Sequence, residues 1–149
     1  MSQPRFNHVA LSVPASMLDD AGRAELVDFY GSVFGWNEMP TMTKPGEQLV
    51  LQAYSYDQFV FIVSEDEPMR AASMDHFGMA TDTLEEFERF HAAARERQQT
   101  DDRVEIIAPM VEDFEVLELH NFYVRFLLPM SVEVQHWNWA GDFDPRAES

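Results

Sequence analysis

With 149 residues, 46% of them apolar and 12 of them Phe, the chain has the material for one folded domain; a chain of this size buries roughly 68–70% of its unfolded surface. A formal charge of −17 argues against nucleic acids and anionic membranes as partners, because both would repel it. The lack of cysteine excludes disulfides, thiolate zinc sites and cysteine nucleophiles; with no apolar leader after Met1 and no apolar run of bilayer length, the expectation is a cytoplasmic protein.

The first predicted strand covers 6–13, where alternation puts His8, Ala10 and Ser12 on one face and Val9, Leu11 and Val13 on the other. Pro14 ends it. Ser16 is the predicted helix cap, with Asp19 placing a carboxylate in the first turn. The helix is predicted over 17–34, with Leu18, Gly22, Leu26, Phe29, Tyr30 and Val33 as its buried stripe and Gly35 as its stop. A short strand at 36–39, a Pro45-Gly46 turn and strands at 48–54 and 58–63 complete the first half.

The acidic segment Ser64-Glu65-Asp66-Glu67-Pro68 leads into a second half that repeats this order. A strand at 75–81 precedes a helix over 84–98 with Leu84, Phe87, Phe90 and Ala94 inward, and strands follow at 103–108, 121–128 and 131–138. The layout is βαβββ twice over, an internal duplication at the level of elements. We expect one domain over 1–149, with module one at 5–64, module two at 73–140 and a loosely held tail at 141–149.

Three chemistry-bearing residues lie within these strands: His8 and His76, each opening its strand, and Glu133 within Ser131-Val132-Glu133-Val134-Gln135. Two imidazoles and a carboxylate are a ligand set for octahedral iron(II), provided the fold brings them together. Small neighbours leave room beside each histidine: Ala10 and Ser12 near His8, Gly78 and Ala80 near His76. A buried Glu133 needs a cation or a hydrogen-bond donor. The plainer alternatives are satisfied strand histidines and a Glu133 that points outward or pairs with Arg125.

Tyr123 and Arg125 share a face of their strand. If that face looks inward, Tyr123 donates a hydrogen bond or proton and Arg125 pairs with an anionic substrate; the competing reading for Arg125 is a cross-strand ion pair. His120 is a candidate acid or base at the rim of the site, against the alternative of a solvated loop histidine. His136 falls on the face opposite Glu133, His91 lies in a charged helix, and Trp137 shares the Glu133 face. No nucleophile elbow, phosphate loop or dinucleotide fingerprint occurs.

The segments Phe6-Asn7-His8-Val9-Ala10-Leu11-Ser12-Val13-Pro14 and Leu26-Val27-Asp28-Phe29-Tyr30-Gly31-Ser32-Val33-Phe34-Gly35-Trp36 resemble the vicinal oxygen chelate superfamily, which includes glyoxalases, bleomycin-resistance proteins and extradiol dioxygenases. Asp75-His76-Phe77-Gly78-Met79-Ala80-Thr81-Asp82 and the helix beginning Leu84-Glu85-Glu86-Phe87 echo it in the second half. The resemblance implies an α+β fold of two βαβββ modules whose mixed sheets curl into a cup with the helices outside, and metal ligands on the first and last strand of each module. His8, His76 and Glu133 match three of those positions, while the fourth falls among Val60, Phe61 and Ile62.

That three-ligand pattern resembles the dioxygenase-type members and implies iron(II) or manganese(II), with zinc or nickel also compatible. The turn Leu127-Leu128-Pro129-Met130-Ser131 departs from the family pattern, whose strict spacing would put Gln135 in the ligand position; Glu133 is the favoured ligand, with Gln135 on the same face. The resemblance implies a small-molecule substrate with adjacent oxygens or an aromatic ring, a dioxygenase-like, isomerase or lyase reaction, and a homodimer. The alternative is a metal-free protein that sequesters a small molecule.

Overall fold

The computed structural model describes residues 2–143 and 145. Strand β1 (His8–Val13) follows the alternation in the sequence, with Leu11 and Val13 buried and His8 and Ala10 exposed. After Pro14 the chain makes a short 3-10 turn, Ala15–Leu18, which contains Ser16. Helix α1 (Asp20–Phe34) starts only after it, capped by Asp19, whose side chain accepts from the Gly22 N–H at 2.8 Å. The predicted Ser16 cap is thus replaced by Asp19. The Met17 N–H already donates to the Pro14 carbonyl at 3.0 Å, so the helix nucleates one turn later.

The junction is tight at Gly22, where a Cβ would lie 2.2 Å from the Met17 carbonyl oxygen. Gly22→Ala is therefore expected to lower stability by about 1–3 kcal/mol, read as a lower urea midpoint. An unchanged midpoint would show that the turn shifts freely. Farther along, Leu26, Phe29, Tyr30 and Val33 form the buried stripe. Gly35, at φ 73°, ends the helix in the left-handed conformation, its N–H donating to the Gly31 carbonyl at 2.9 Å.

Strands β2 (Asn37–Glu38), β3 (Gln48–Gln52) and β4 (Phe59–Ser64) join β1 in a sheet of order β1-β4-β3-β2. β1 runs parallel to β4, and the other pairs are antiparallel. Leu11, Val13, Leu49, Leu51, Val60 and Ile62 share one face and are almost completely buried. The other face carries His8 opposite Phe59 and Ala10 opposite Phe61.

The second sheet repeats this plan. Strands β5 (His76–Thr81), β6 (Glu105–Asp113), β7 (Leu117–Arg125) and β8 (Ser131–Trp139) have the order β5-β8-β7-β6, with β5 parallel to β8. Helix α2 (Leu84–Thr100) begins with a reciprocal capping box between Thr83 and Glu86. Phe87 and Ala94 are buried, Phe90 is half-buried and Leu84, in the first turn, is exposed, so the inner face is narrower than its spacing predicts.

β6 runs five residues past its predicted end and crosses Pro109. A register shift between Ile107 and Met110 on this edge strand accommodates a residue that cannot donate to the ladder. β7 starts at Leu117, four residues earlier than predicted, after a turn with Glu115 at φ 67°.

The chain divides into two units, Met1–Asp75 with Phe126–Met130, and His76–Arg125 with Ser131–Ser149. Each pairs a four-stranded mixed sheet with an α-helix, the expected α+β class. The β7–β8 connection belongs to the first unit: the Phe126 ring stacks on Phe29 at 4.3 Å, and the Tyr30 hydroxyl donates to the Phe126 carbonyl at 2.8 Å. The expected tail at 141–149 falls largely outside the described residues. Among the described residues, no helix is long and apolar enough to cross a membrane.

Candidate metal and ligand site

Glu133 occupies the centre of the second sheet's polar face because β8 lies between β5 and β7. Its direct partners are Gly78 on β5 and Tyr123 on β7. Strand alternation puts His76, Gly78 and Ala80 on this face, with Asn121, Tyr123 and Arg125 from β7 and Gln135 and Trp137 from β8. The opposite face carries Phe122, Val132 and Val134, and Phe122 meets Phe87 of α2 edge-on at 5.2 Å.

Glu133 is 6% exposed. Its Oε2 lies 3.1 Å from His76 Nε2, and its Oε1 accepts from the Tyr123 hydroxyl at 3.2 Å. The His76 and Tyr123 rings meet edge-on at 5.1 Å. Gly78 lies directly beside the carboxylate, where an added Cβ would be in van der Waals contact with Oε2 at 3.9 Å. It is Glu133, not Gln135, that meets His76; Gln135 Oε1 instead accepts from Trp137 Nε1 at 2.9 Å.

His8 belongs to the first unit. Its ring stacks on Phe59 at 4.8 Å, and its Nδ1 lies 2.7 Å from Asn7 Oδ1. An amide oxygen only accepts, so His8 Nδ1 is the donor in this contact. The neighbouring strand offers Phe59 and Phe61 on the His8 face and no donor group there. Among the described residues, no cluster of three or more His, Asp or Glu side chains is arranged to hold a metal ion.

The donor chemistry of the His76–Glu133 pair nonetheless suits a divalent cation. An imidazole nitrogen and a carboxylate oxygen, here 3.1 Å apart, are the donor types that would hold such a cation. Iron(II), manganese(II), zinc and nickel all accept an imidazole and a carboxylate together.

Tyr123 is 9% exposed. Burial raises its phenol pKa above the usual tyrosine range, and the adjacent Glu133 charge adds to the effect. The phenol therefore stays protonated at neutral pH and acts as a donor. This contribution to stability is full below the ordinary tyrosine pKa and is lost as pH rises through the raised folded value. We expect one tyrosinate to appear at unusually high pH in an ultraviolet titration, to vanish in Tyr123→Phe, and to move down in Glu133→Gln. A titration unchanged by Glu133→Gln would contradict the coupling.

Two proposed catalytic residues stand elsewhere. Arg125 Nε donates to Glu105 Oε2 at 2.6 Å, with the two residues directly opposite on neighbouring strands. That contact lowers the Glu105 pKa. The cross-strand ion pair is thus what Arg125 makes, in place of an open guanidinium for an anionic substrate. His120 lies within β7 on the face opposite Glu133, 6.0 Å from Phe87 and from His136 ring to ring, with Nε2 3.8 Å from Glu118. It is a residue within the strand, on the side that meets α2, and does not precede the strand. His136, buried on that same face, has Nδ1 3.3 Å from the Thr81 carbonyl. His91 packs edge-on against Phe122 at 5.1 Å, and burial lowers its pKa, with Arg95 adding to the shift.

Sequence reasoning missed Asn121 and Glu112. Asn121 is 3% exposed, and its Nδ2 donates to Glu112 Oε2 at 2.9 Å. The two-residue alternation Asn121, Tyr123, Arg125 is the available signal for Asn121, whereas Glu112 lies on the part of β6 beyond its predicted end.

This arrangement of two βαβββ units is the fold of the glyoxalase, bleomycin-resistance and dioxygenase proteins. The chain is similar over its full length to a glyoxalase/bleomycin resistance protein/dioxygenase from Alicyclobacillus acidocaldarius, at 19% identity and a TM-score of 0.64 with 100% of each chain covered. It is also similar to a lactoylglutathione lyase from Agrobacterium tumefaciens (17% identity, TM-score 0.60, 91% of this chain and 96% of that one). A fosfomycin resistance protein from Listeria monocytogenes shares the fold at 13% identity and a TM-score of 0.58, covering 91% of this chain and 94% of that one. No family model matches the sequence, and no curated protein matches it.

Proposed function

We propose that this chain is a small metal-dependent enzyme acting on a substrate with two adjacent oxygens, by dioxygenase-like, isomerase or lyase chemistry. His76 and Glu133 hold the divalent cation, iron(II) or manganese(II) suiting them best. The observation that carries this reading is the 3.1 Å approach of a histidine nitrogen to a buried carboxylate beside a glycine. The fold shared with a lactoylglutathione lyase and a dioxygenase-type protein supports it.

The cation acts as a Lewis acid toward the substrate oxygens when bound. The chain's own contributions are simpler. His76 and Glu133 fix the position of the site, and Tyr123 keeps a proton on its hydroxyl while holding Glu133 Oε1. That hydroxyl is the donor this face would offer to a substrate oxygen in place of Glu133 Oε1.

One observation favours a second reading, a metal-free protein that sequesters a small molecule. Glu133 already has two protein partners, so the pair is complete without a cation. The fold shared with a fosfomycin resistance protein is compatible with it. Metal analysis of protein purified without chelator separates the two. Stoichiometric iron or manganese that is lost in His76→Ala supports the enzyme; none in either protein, with binding of an aromatic ligand retained, supports sequestration.

A further inference from the structure

We propose that the strip of the second sheet beyond the Glu133–Tyr123 pair receives a positively charged arm of the ligand, a primary ammonium group. This deepens the adjacent-oxygen reading above and rests on it. Asn121 Oδ1 is buried and has no hydrogen-bond partner. Its orientation is fixed, because Nδ2 donates to Glu112 Oε2 and reversing the amide would set oxygen against a carboxylate. A buried acceptor left unpaired is costly, so this position calls for a donor from outside the chain.

The surroundings specify the donor's charge. Asn121 pairs with Gln135, one same-face step from the Tyr123–Glu133 pair, which is roughly 7 Å along the strand. Glu112 supplies a carboxylate there. Trp137, on the same face and 47% exposed, has its N–H occupied by Gln135 and its ring 5.8 Å from that of Trp139, so the indole presents a half-exposed aromatic surface. An unpaired acceptor, an anion and an indole face together recognise an ammonium group. Arg125, the cation on the same face, is engaged by Glu105. A net charge of −17 also draws cations toward the protein.

The inferred ligand therefore carries adjacent oxygens at one end and an ammonium on a short arm at the other. The test is anaerobic calorimetry on the full chain with added manganese(II), using catechol, dopamine and phenethylamine as probes. Dopamine is expected to bind about tenfold more tightly than catechol. That advantage should fall at least about threefold in Asn121→Leu and in Glu112→Gln, the second being a substitution at an exposed position. Equal binding of dopamine and catechol, or a full dopamine advantage in Glu112→Gln, overturns the proposal. If catechol fails to bind while phenethylamine binds and is weakened by Glu112→Gln, the ammonium site stands and the adjacent-oxygen reading fails.

Discussion

His76→Ala is expected to lower divalent-metal affinity at least about 100-fold, because it removes a ligand outright, and loss of outer-shell partners alone costs 10–100-fold. Glu133 is a buried carboxylate at the centre of a four-stranded sheet. Such a group is held by donors or by a cation. His76 is placed by the β5–β8 register, which pairs it with Ser131 and sets its ring diagonally across from Glu133. With alanine there, Tyr123 remains as the hydrogen-bond partner of that carboxylate, and half of the donor pair is gone. Equilibrium dialysis against manganese(II) measures the effect. Under the metal-free reading the substitution breaks a His–Glu contact and lowers thermal stability, with manganese binding absent before and after.

The second large effect concerns the scaffold. Phe126→Ala is expected to cost about 3–5 kcal/mol, the usual range for truncating a buried phenylalanine. Phe126 is 1% exposed, stacks on Phe29 and presents its carbonyl to the Tyr30 hydroxyl. It lies just beyond the end of β7, so the segment leading into β8 is anchored on α1 of the first unit. Tyr30→Phe removes only the hydrogen bond and should cost about 1 kcal/mol. Urea unfolding followed by tryptophan fluorescence reads both. A loss below about 1 kcal/mol for Phe126→Ala would mean that the connection is not part of that core.

The order of elements was legible because apolar periodicity is strong where it matters. The β1 alternation, the stripe from Leu26 to Val33 and the Gly35 stop all appear as read. The shared face of His76, Gly78 and Ala80 followed from counting by twos. Other features have no such signal. Ser16 and Asp19 are both good caps, and only the backbone turn at Pro14–Met17 selects between them. The β6–β7 turn carries Glu115 where glycine or asparagine would have announced a turn, and Pro109 hid the continuation of an edge strand.

Those boundary errors had chemical consequences. The sequence pattern predicts β7 from residue 121, which leaves His120 outside it; with β7 starting at Leu117, His120 shares the helix-facing side with Phe122. The Arg125–Glu105 pairing depended on the cross-strand register, which no local pattern encodes. The approach of His76 to Glu133 depended equally on register, yet there the parallel β5–β8 pairing put the two residues on one face, as the duplicated layout implied.

Pulsed electron paramagnetic resonance of the manganese(II)-loaded protein, with 15N-labelled histidine, counts imidazole nitrogens at the metal directly. With the cation held by His76 and Glu133, at least one nitrogen is expected in the unmodified chain and one fewer in His76→Ala. No imidazole nitrogen in the unmodified chain, or a spectrum that His76→Ala leaves unchanged, would contradict a cation at the His76–Glu133 pair.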